Sequence, residues 1–243
     1  MIHALVGLLA AAVVALPTGT DVDYQLGGAA DPAPDVGIVV RDRTEPPAAG
    51  RYSVCYVNGF QTQPGEKRFW RRHPGLLLRD AEGRPVVDEA WGEVLLDVRT
   101  PTKRKALARI EARWVRGCAR DGYAAVEYDN LDSFTRSDGL VSRRQALRFA
   151  ELLVRAAHHH GLAAGQKNLA GFDGTRLGYD FAVSEECGRY DECQRYVGHY
   201  GDQVLMVEYR AQDFDATCAA YGATHAVVLR DRDLTPAGVH RWC

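Results

Sequence analysis

The chain has 243 residues, 46% of them hydrophobic, 26% charged and 9% aromatic, which excludes a disordered, collagen-like or heptad-repeat protein. Its 30 Lys+Arg against 32 Asp+Glu leave a net charge of -2, so no basic surplus exists to hold a phosphate backbone and no nucleic-acid partner is expected. The length suits one domain, and α/β barrels commonly fill about 200–250 residues as a single unit.

The first run, Ile2 to Leu16, is rich in Ala, Val and Leu and is closed by Pro17-Thr18-Gly19-Thr20. A spanning helix wants roughly 20 apolar residues, so this run is short for one. Its length, position and polar sequel predict a secretory signal peptide over residues 1–20, although His3 stands where Lys or Arg is usual. An N-terminal helix or strand of the fold is the alternative. Export predicts a secreted, extracellular protein, clear of the membrane once the leader is cut. The six cysteines agree with it: their number is even and none sits in a C-x-x-C pair, which turns the reading from zinc or redox motifs toward disulfides. Cys187 and Cys193 are close enough to staple a short loop, and Cys218 with Cys243 would tie down the C-terminus, which leaves Cys55 with Cys118. Six buried thiols are the reading if the chain stays inside.

From residue 36 a short apolar run ending in polar residues recurs eight times, at 36–42, 52–58, 94–98, 124–130, 163–168, 181–185, 204–209 and 226–231. Such runs suit strands buried on both faces of a parallel sheet. Between them, Lys103 to Gly117 places Ala106, Ile110 and Trp114 on one helical face, and Ser142 to Gly161 does the same with Leu147, Ala150, Leu153, Val154 and Ala157. Strand and helix in alternation predict a (β/α)8 barrel forming one domain over residues 21–243. No G-x-G-x-x-G follows the first strand to favour a dinucleotide fold. Residues 43–51 are too few for a full crossover helix, so the barrel is expected to be irregular there, with residues 21–26 as a candidate ninth strand.

In a barrel the C-terminal strand ends line the active face. Here they carry Asn58, Asp97, Glu127, Asp129, Asn130, Lys167, Asn168, Glu185 and Glu208. Singly, each suits a helix cap or a solvated position equally well. Their recurrence over several strands points to a site, because buried carboxylates are costly unless used or paired.

Glu127-Tyr-Asp-Asn130, Gly165-Gln-Lys-Asn168 and Ser184-Glu-Glu-Cys187 together resemble the endo-α-1,4-polygalactosaminidases, a glycoside hydrolase family with E-P-D-N, G-x-K-N and N-E-x-C in these places. Tyr24-Gln-Leu-Gly27, Cys55-Tyr56, Asp97-Val-Arg99 and Glu208-Tyr209 extend the resemblance over most of the chain. It implies a barrel enzyme without a cofactor, acting as a monomer on α-1,4-linked galactosamine polysaccharide. It further implies Asp129 and Glu185 as the catalytic carboxyls, Glu185 as acid and Asp129 as nucleophile or base. Around the substrate it sets Asn58, Asp97, Glu127, Asn130, Lys167, Asn168, Glu208 and Tyr209. Lys167 would keep Asp129 ionised. The sequence departs from the family at Tyr128 for proline, at Ser184 for asparagine, and at Val39 and Val40, where only Asp42 keeps an early acidic strand.

Two other readings stand beside this one: a carbohydrate-binding barrel without activity, and a hydrolase holding a divalent metal on Asp97, Asp129 and Glu185. Trp70 is read as a loop anchor before a sugar platform, and His158-His-His160 as a solvated helix end before a metal tract.

Overall fold

The computed structural model describes residues 13–243; the expected leader falls largely on residues 1–12, outside the described residues. Three strands come first, β1 (Asp21–Gln25), β2 (Val36–Asp42) and β3 (Tyr52–Asn58), then the one-turn α1 (Lys67–Trp70), a hairpin of β4 (Val87–Asp88) and β5 (Glu93–Val94), and the long α2 (Pro101–Asp121). After them run β6 (Ala125–Asp129), α3 (Arg143–His159), β7 (Ala163–Lys167), β8 (Phe181–Glu185) and α4 (Cys193–Tyr200). The chain closes with β9 (Val204–Glu208), α5 (Ala211–Tyr221), β10 (Ala226–Arg230) and β11 (His240–Trp242).

Strands β1, β2, β3, β6, β7, β8, β9 and β10 pair in that order, all parallel, and β11 adds antiparallel to β10. No ladder joins β1 to β10, yet the two are neighbours and the seam is bridged. Gly27 N donates to Leu234 O at 3.1 Å, Trp242 Nε1 to Val22 O at 2.7 Å, and the buried Arg230 guanidinium to Asp23 at 3.1 Å. The expected eight-stranded barrel is present, with one exchange of strands. Residues 21–25 supply the first strand, and residues 94–98 are not in the barrel. Leu95 and Leu96 make only single bridges, to Gln61 and Leu77. Their apolar character comes from burial in the layer between barrel and helices, a pattern that periodicity cannot tell from a strand. No helix follows β1 or β2, so the irregular first crossover is also present.

Alternation sorts the side chains into two cores. Val22, Tyr24, Val54, Tyr56, Ala125, Ala163, Phe181, Val183, Leu205 and Val207 fill the barrel; Val57, Val126, Tyr128, Ala164, Ala182 and Met206 face the helices. Gly165 lets the interior fill, because a Cβ there would meet the Phe181 ring at 2.5 Å. Leu16, within the span expected of a leader, is buried in the barrel core, and its N–H donates to Gln203 Oε1 at 2.8 Å.

Helix α3 begins with a capping box, Ser142 receiving Gln145 N–H while the Gln145 side chain takes the Ser142 N–H, and Gly161 with φ 74 follows its end. Its buried Phe149 meets Phe60 edge-on at 5.2 Å, and Leu153 O accepts from the Tyr128 hydroxyl at 2.9 Å. Each such buried side chain contributes about 1.5–3 kcal/mol, so the helix is held by its packing face. Two departures from the family pattern lie on this outer side, Tyr128 under α3 and Ser184, whose hydroxyl donates to Leu205 O at 3.3 Å, whereas Val40 belongs to the barrel interior. All three expected disulfides are present, Cys55–Cys118, Cys187–Cys193 and Cys218–Cys243. Among the described residues no helix is long and apolar enough to cross a membrane.

Candidate active site

The C-terminal strand ends converge on the Lys167 ammonium, which is 1% exposed. Its Nζ donates to the Tyr24 hydroxyl at 2.8 Å and lies 2.9 Å from Glu127, 3.5 Å from Asp129 and 3.3 Å from Glu185. Four strands, β1, β6, β7 and β8, supply these five side chains. Burial works against the Lys167 charge, but Asp129, Glu127 and Glu185 outweigh it and hold its pKa well above the ordinary value. The lysine is therefore a fixed cation. Below the mouth, the Tyr24 hydroxyl donates to Glu127 Oε1 at 2.7 Å, and burial pushes the Glu127 carboxyl up to about 7 against the pull of Lys167.

Asp129 and Glu185 stand above this base, partly open at 18% and 25% exposure. Asp129 Oδ2 accepts from the Tyr56 hydroxyl at 2.7 Å and Oδ1 from Asn130 N–H at 2.7 Å. Glu185 Oε1 accepts from the Tyr209 hydroxyl, and its N–H donates to Asn168 Oδ1 at 2.9 Å. Asn130 and Asn168 take left-handed backbone, φ 66 and 52, which asparagine tolerates better than most residues. Both sharp turns aim the preceding side chain at the mouth. The open cleft above has a volume of about 410 Å³ and is lined by Asp129, Asn130, Lys167, Asn168, Glu185 and Tyr209.

Other expected site residues lie elsewhere. Asp97 does not line the cleft: it follows the hairpin, and its carboxylate is held by Arg99 at 2.8 Å and Lys103 at 2.5 Å where α2 begins. The metal set of Asp97, Asp129 and Glu185 is accordingly not assembled. Glu208 points outward because it alternates with Tyr209; it accepts from Gly188 N–H at 2.7 Å and is pushed up to about 7 by burial. Cys187, Cys193 and Glu208 come close enough for a metal, but both sulfurs are spent in their disulfide. Asn58 and Glu127 sit behind the cleft wall, Asn58 accepting from Asn130 Nδ2 at 3.0 Å. Trp70 is buried, its indole donating to Glu66 at 2.9 Å, so it anchors a loop.

The cleft also contains residues the sequence does not announce. Tyr56 faces Asp129, and the β4–β5 hairpin brings Asp88, Trp91 and Glu93 to one wall. Phenols at the ends of β1 and β3, two residues beyond Val22 and Val54 on the inward face, are the signal that would have found Tyr24 and Tyr56.

A parallel barrel with two carboxyls facing one another at its C-terminal mouth is the architecture of glycoside hydrolases. The chain belongs to glycoside-hydrolase family GH114, whose profile matches residues 8–243, and it is a glycoside hydrolase, as its motifs implied. Among solved structures it is similar to Aspergillus fumigatus Ega3 in complex with galactosamine, at 21% identity and TM-score 0.77 over 98% of this chain and 100% of that one. The glycoside hydrolase domain of PelA from Pseudomonas aeruginosa is similar at 18% identity and TM-score 0.60, over 92% and 98%. The Thermus thermophilus α-galactosidase TtGalA shares the fold at 12% identity and TM-score 0.52, over 89% of this chain and 58% of that one. No curated protein matches the sequence.

Proposed function

We propose that the protein is an exported, endo-acting hydrolase of α-1,4-linked galactosamine polysaccharide, working as a monomer by double displacement. The observation that carries the reading is the shared contact of Asp129 and Glu185 with Lys167, at 3.5 and 3.3 Å. Their oxygens are no further apart than those two contacts laid end to end. That bound lies below all but the shortest inverting separations, roughly 6.5–9.5 Å, which leave room for a water, and it includes the retaining separation of about 5–5.5 Å, the arrangement taken here. Asp129 attacks the anomeric carbon while Glu185 protonates the departing glycosidic oxygen. Glu185 then takes a proton from the water that releases the sugar from Asp129. Asp129 takes donors from Asn130, Tyr56 and Lys167, and Glu185 takes them from Tyr209, Asn168 and Lys167; the 2.7 Å bond from Asn130 N–H to Asp129, against 3.5 Å from Asn168 to Glu185, favours Asp129 as the anion of the pair. Galactosamine in the related Ega3 structure and the acidic cleft of this chain support the substrate class.

Incubation with partly deacetylated galactosaminogalactan should generate new reducing ends within the chain, with the α-anomer as first product by NMR. Release of the β-anomer would exclude double displacement, and no new ends would remove the substrate. Export rests on the apolar leader and the three disulfides; since Leu16 packs into the barrel, we place the cut before it. N-terminal sequencing of secreted protein tests this.

A further inference from the structure

The β4–β5 hairpin lies outside the barrel sheet and is an insertion in the long connection from β3 to α2. Its tip is built firmly. Asp88 pairs with Glu93 across the two strands, its carbonyl accepts from Gly92 N–H at 2.8 Å, and its carboxylate takes Ala90 N–H at 3.1 Å. That carboxylate is 4% exposed and lies 2.7 Å from Arg136 Nε and 3.2 Å from Gln61 Nε2. Arg136 reaches on to Asn130 Oδ1 at 2.9 Å, beside Asp129. The hairpin is thereby tied to the catalytic strand end.

This rigid tip presents Trp91 with 57% of its surface open, on the wall of the cleft. Trp70, Trp114 and Trp242 are buried or half-buried in contacts of their own. A large apolar ring left in water forgoes its burial energy, and a preorganised turn has already met the entropy of holding it there. An indole face suits the C–H face of a pyranose ring, with its polar edge in water. Two residues on, Glu93 lines the same wall, and its Oε2 accepts from Asn58 Nδ2 at 2.8 Å. Asn58 in turn accepts from Asn130 at 3.0 Å, so the carboxyl is held in fixed relation to the reacting centre.

We propose that this hairpin is a substrate arm that sets specificity, Trp91 stacking on a sugar ring next to the cleavage point and Glu93 pairing with the 2-ammonium group of a galactosamine unit. The proposal rests on the substrate reading above. The two residues divide the labour: Trp91 holds any pyranose, and Glu93 prefers the deacetylated one.

The test uses the full chain and galactosamine oligosaccharides of defined acetylation, with hydrolysis and calorimetric binding measured in parallel. Trp91→Ala should raise KM at least about tenfold with a smaller change in kcat, and Trp91→Phe should recover most of the loss. Glu93→Gln should reduce the preference for deacetylated over acetylated oligomers by about tenfold, a change that a merely structural residue would not produce. Wild-type KM in Trp91→Ala, or an unchanged preference in Glu93→Gln, overturns the arm. If the wild type binds the oligomers, loses that binding with Trp91→Ala and yet cleaves none, the arm stands and the assigned reaction fails. If the wild type binds none of them, both fail.

Discussion

Lys167 and Glu127 form an ion pair at 2.9 Å with both side chains sealed from solvent, and the carboxyls of Asp129 and Glu185 rest on it from above. A buried pair of this kind is costly to break, because the remaining partner is left charged without compensation, at about 3–5 kcal/mol. Lys167→Met should therefore lower stability by that order and hydrolysis by at least about a hundredfold, as loss of a preorganised electrostatic group does. Adding Glu127→Gln should restore part of the stability and none of the activity. Denaturant midpoints and turnover of the four proteins of the cycle decide it; full additivity would show that the two side chains do not interact.

The two carboxyls above the pair should fail differently. Asp129→Asn and Glu185→Gln are near-isosteric, and each should cut polymer hydrolysis by more than about 10²–10⁴. An aryl leaving group needs little protonation, so Glu185→Gln should retain much of its first step on an aryl glycoside while Asp129→Asn should not. The reverse pattern would exchange their roles.

The strands β2, β3 and β6–β10 are legible in the sequence because barrel strands are buried on both faces and read as unbroken apolar runs. Residues 94–98 read the same way for another reason, burial under α2, and so displaced β1 in the expected set. Asp129, Lys167 and Glu185 are legible through motifs, but parity along a strand is not: nothing in Glu208-Tyr209 says that the tyrosine faces the cleft and the glutamate the helices. Trp91 and Glu93 are illegible for a different cause. Two-residue strands carry no periodicity, and only the fold sets them opposite Asp129.

Stability should pass through a maximum at about pH 4. Burial pushes Glu127 and Glu208 up to about 7, whereas an unfolded glutamate titrates near 4.3. Between about 4.3 and 7 the folded chain holds more protons than the unfolded one, so stability declines as pH rises through that window. Asp97 acts the other way. Burial opposes its charge, but Arg99 and Lys103 prevail and hold it below the ordinary value, so its contribution is lost as pH falls below about 4. Urea midpoints from pH 3 to 8 test both limbs, and Glu208→Gln should flatten the upper one. A midpoint climbing steadily to pH 8 would contradict the burial of these carboxyls.

The disulfides should separate stability from function. Cys55 and Cys118 are 63 residues apart, so removing that link should cost between the roughly 3 and 4.7 kcal/mol that chain entropy assigns to closing 15- and 100-residue loops. Cys187 and Cys193 are only 6 apart and should contribute less. Their bridge holds the turn that follows Glu185, where Gly188 packs so closely that a Cβ would meet Glu208 Oε1 at 3.0 Å. Replacing both cysteines by alanine should thus lower kcat with little change in melting temperature. A large thermal loss with normal kcat would assign this bridge to stability alone.

The charge of the cleft bears directly on the polymer it takes. Its walls hold seven carboxylates, on Asp42, Asp88, Glu93, Asp129, Asp132, Glu185 and Asp233, against three cations, Arg136, Lys167 and Arg232. Pairing removes part of the excess: Arg136 lies 2.7 Å from Asp88 and 3.1 Å from Asp132, and Arg232 is drawn to Glu186 at 2.8 Å. Lys167 is shared among three carboxylates and Arg136 between two, so an excess of negative charge remains, to which Asp42 and Asp233 add theirs and Glu93, pushed up to about 7 by burial, adds its own above that pH. A cleft lined by one sign concentrates ions of the other, and deacetylated galactosamine carries ammonium groups. Screening shortens to about 8 Å at physiological ionic strength, so this attraction is open to salt. We therefore expect kcat/KM on partly deacetylated polymer to fall as salt rises and to fall again when the same polymer is re-acetylated. On the acetylated polymer the salt dependence should vanish, because no charge is left to steer. Pectin, an anionic polymer, should neither be cut nor inhibit. Equal rates on both galactosamine polymers without a salt effect would mean that the residual carboxylates do not select the substrate.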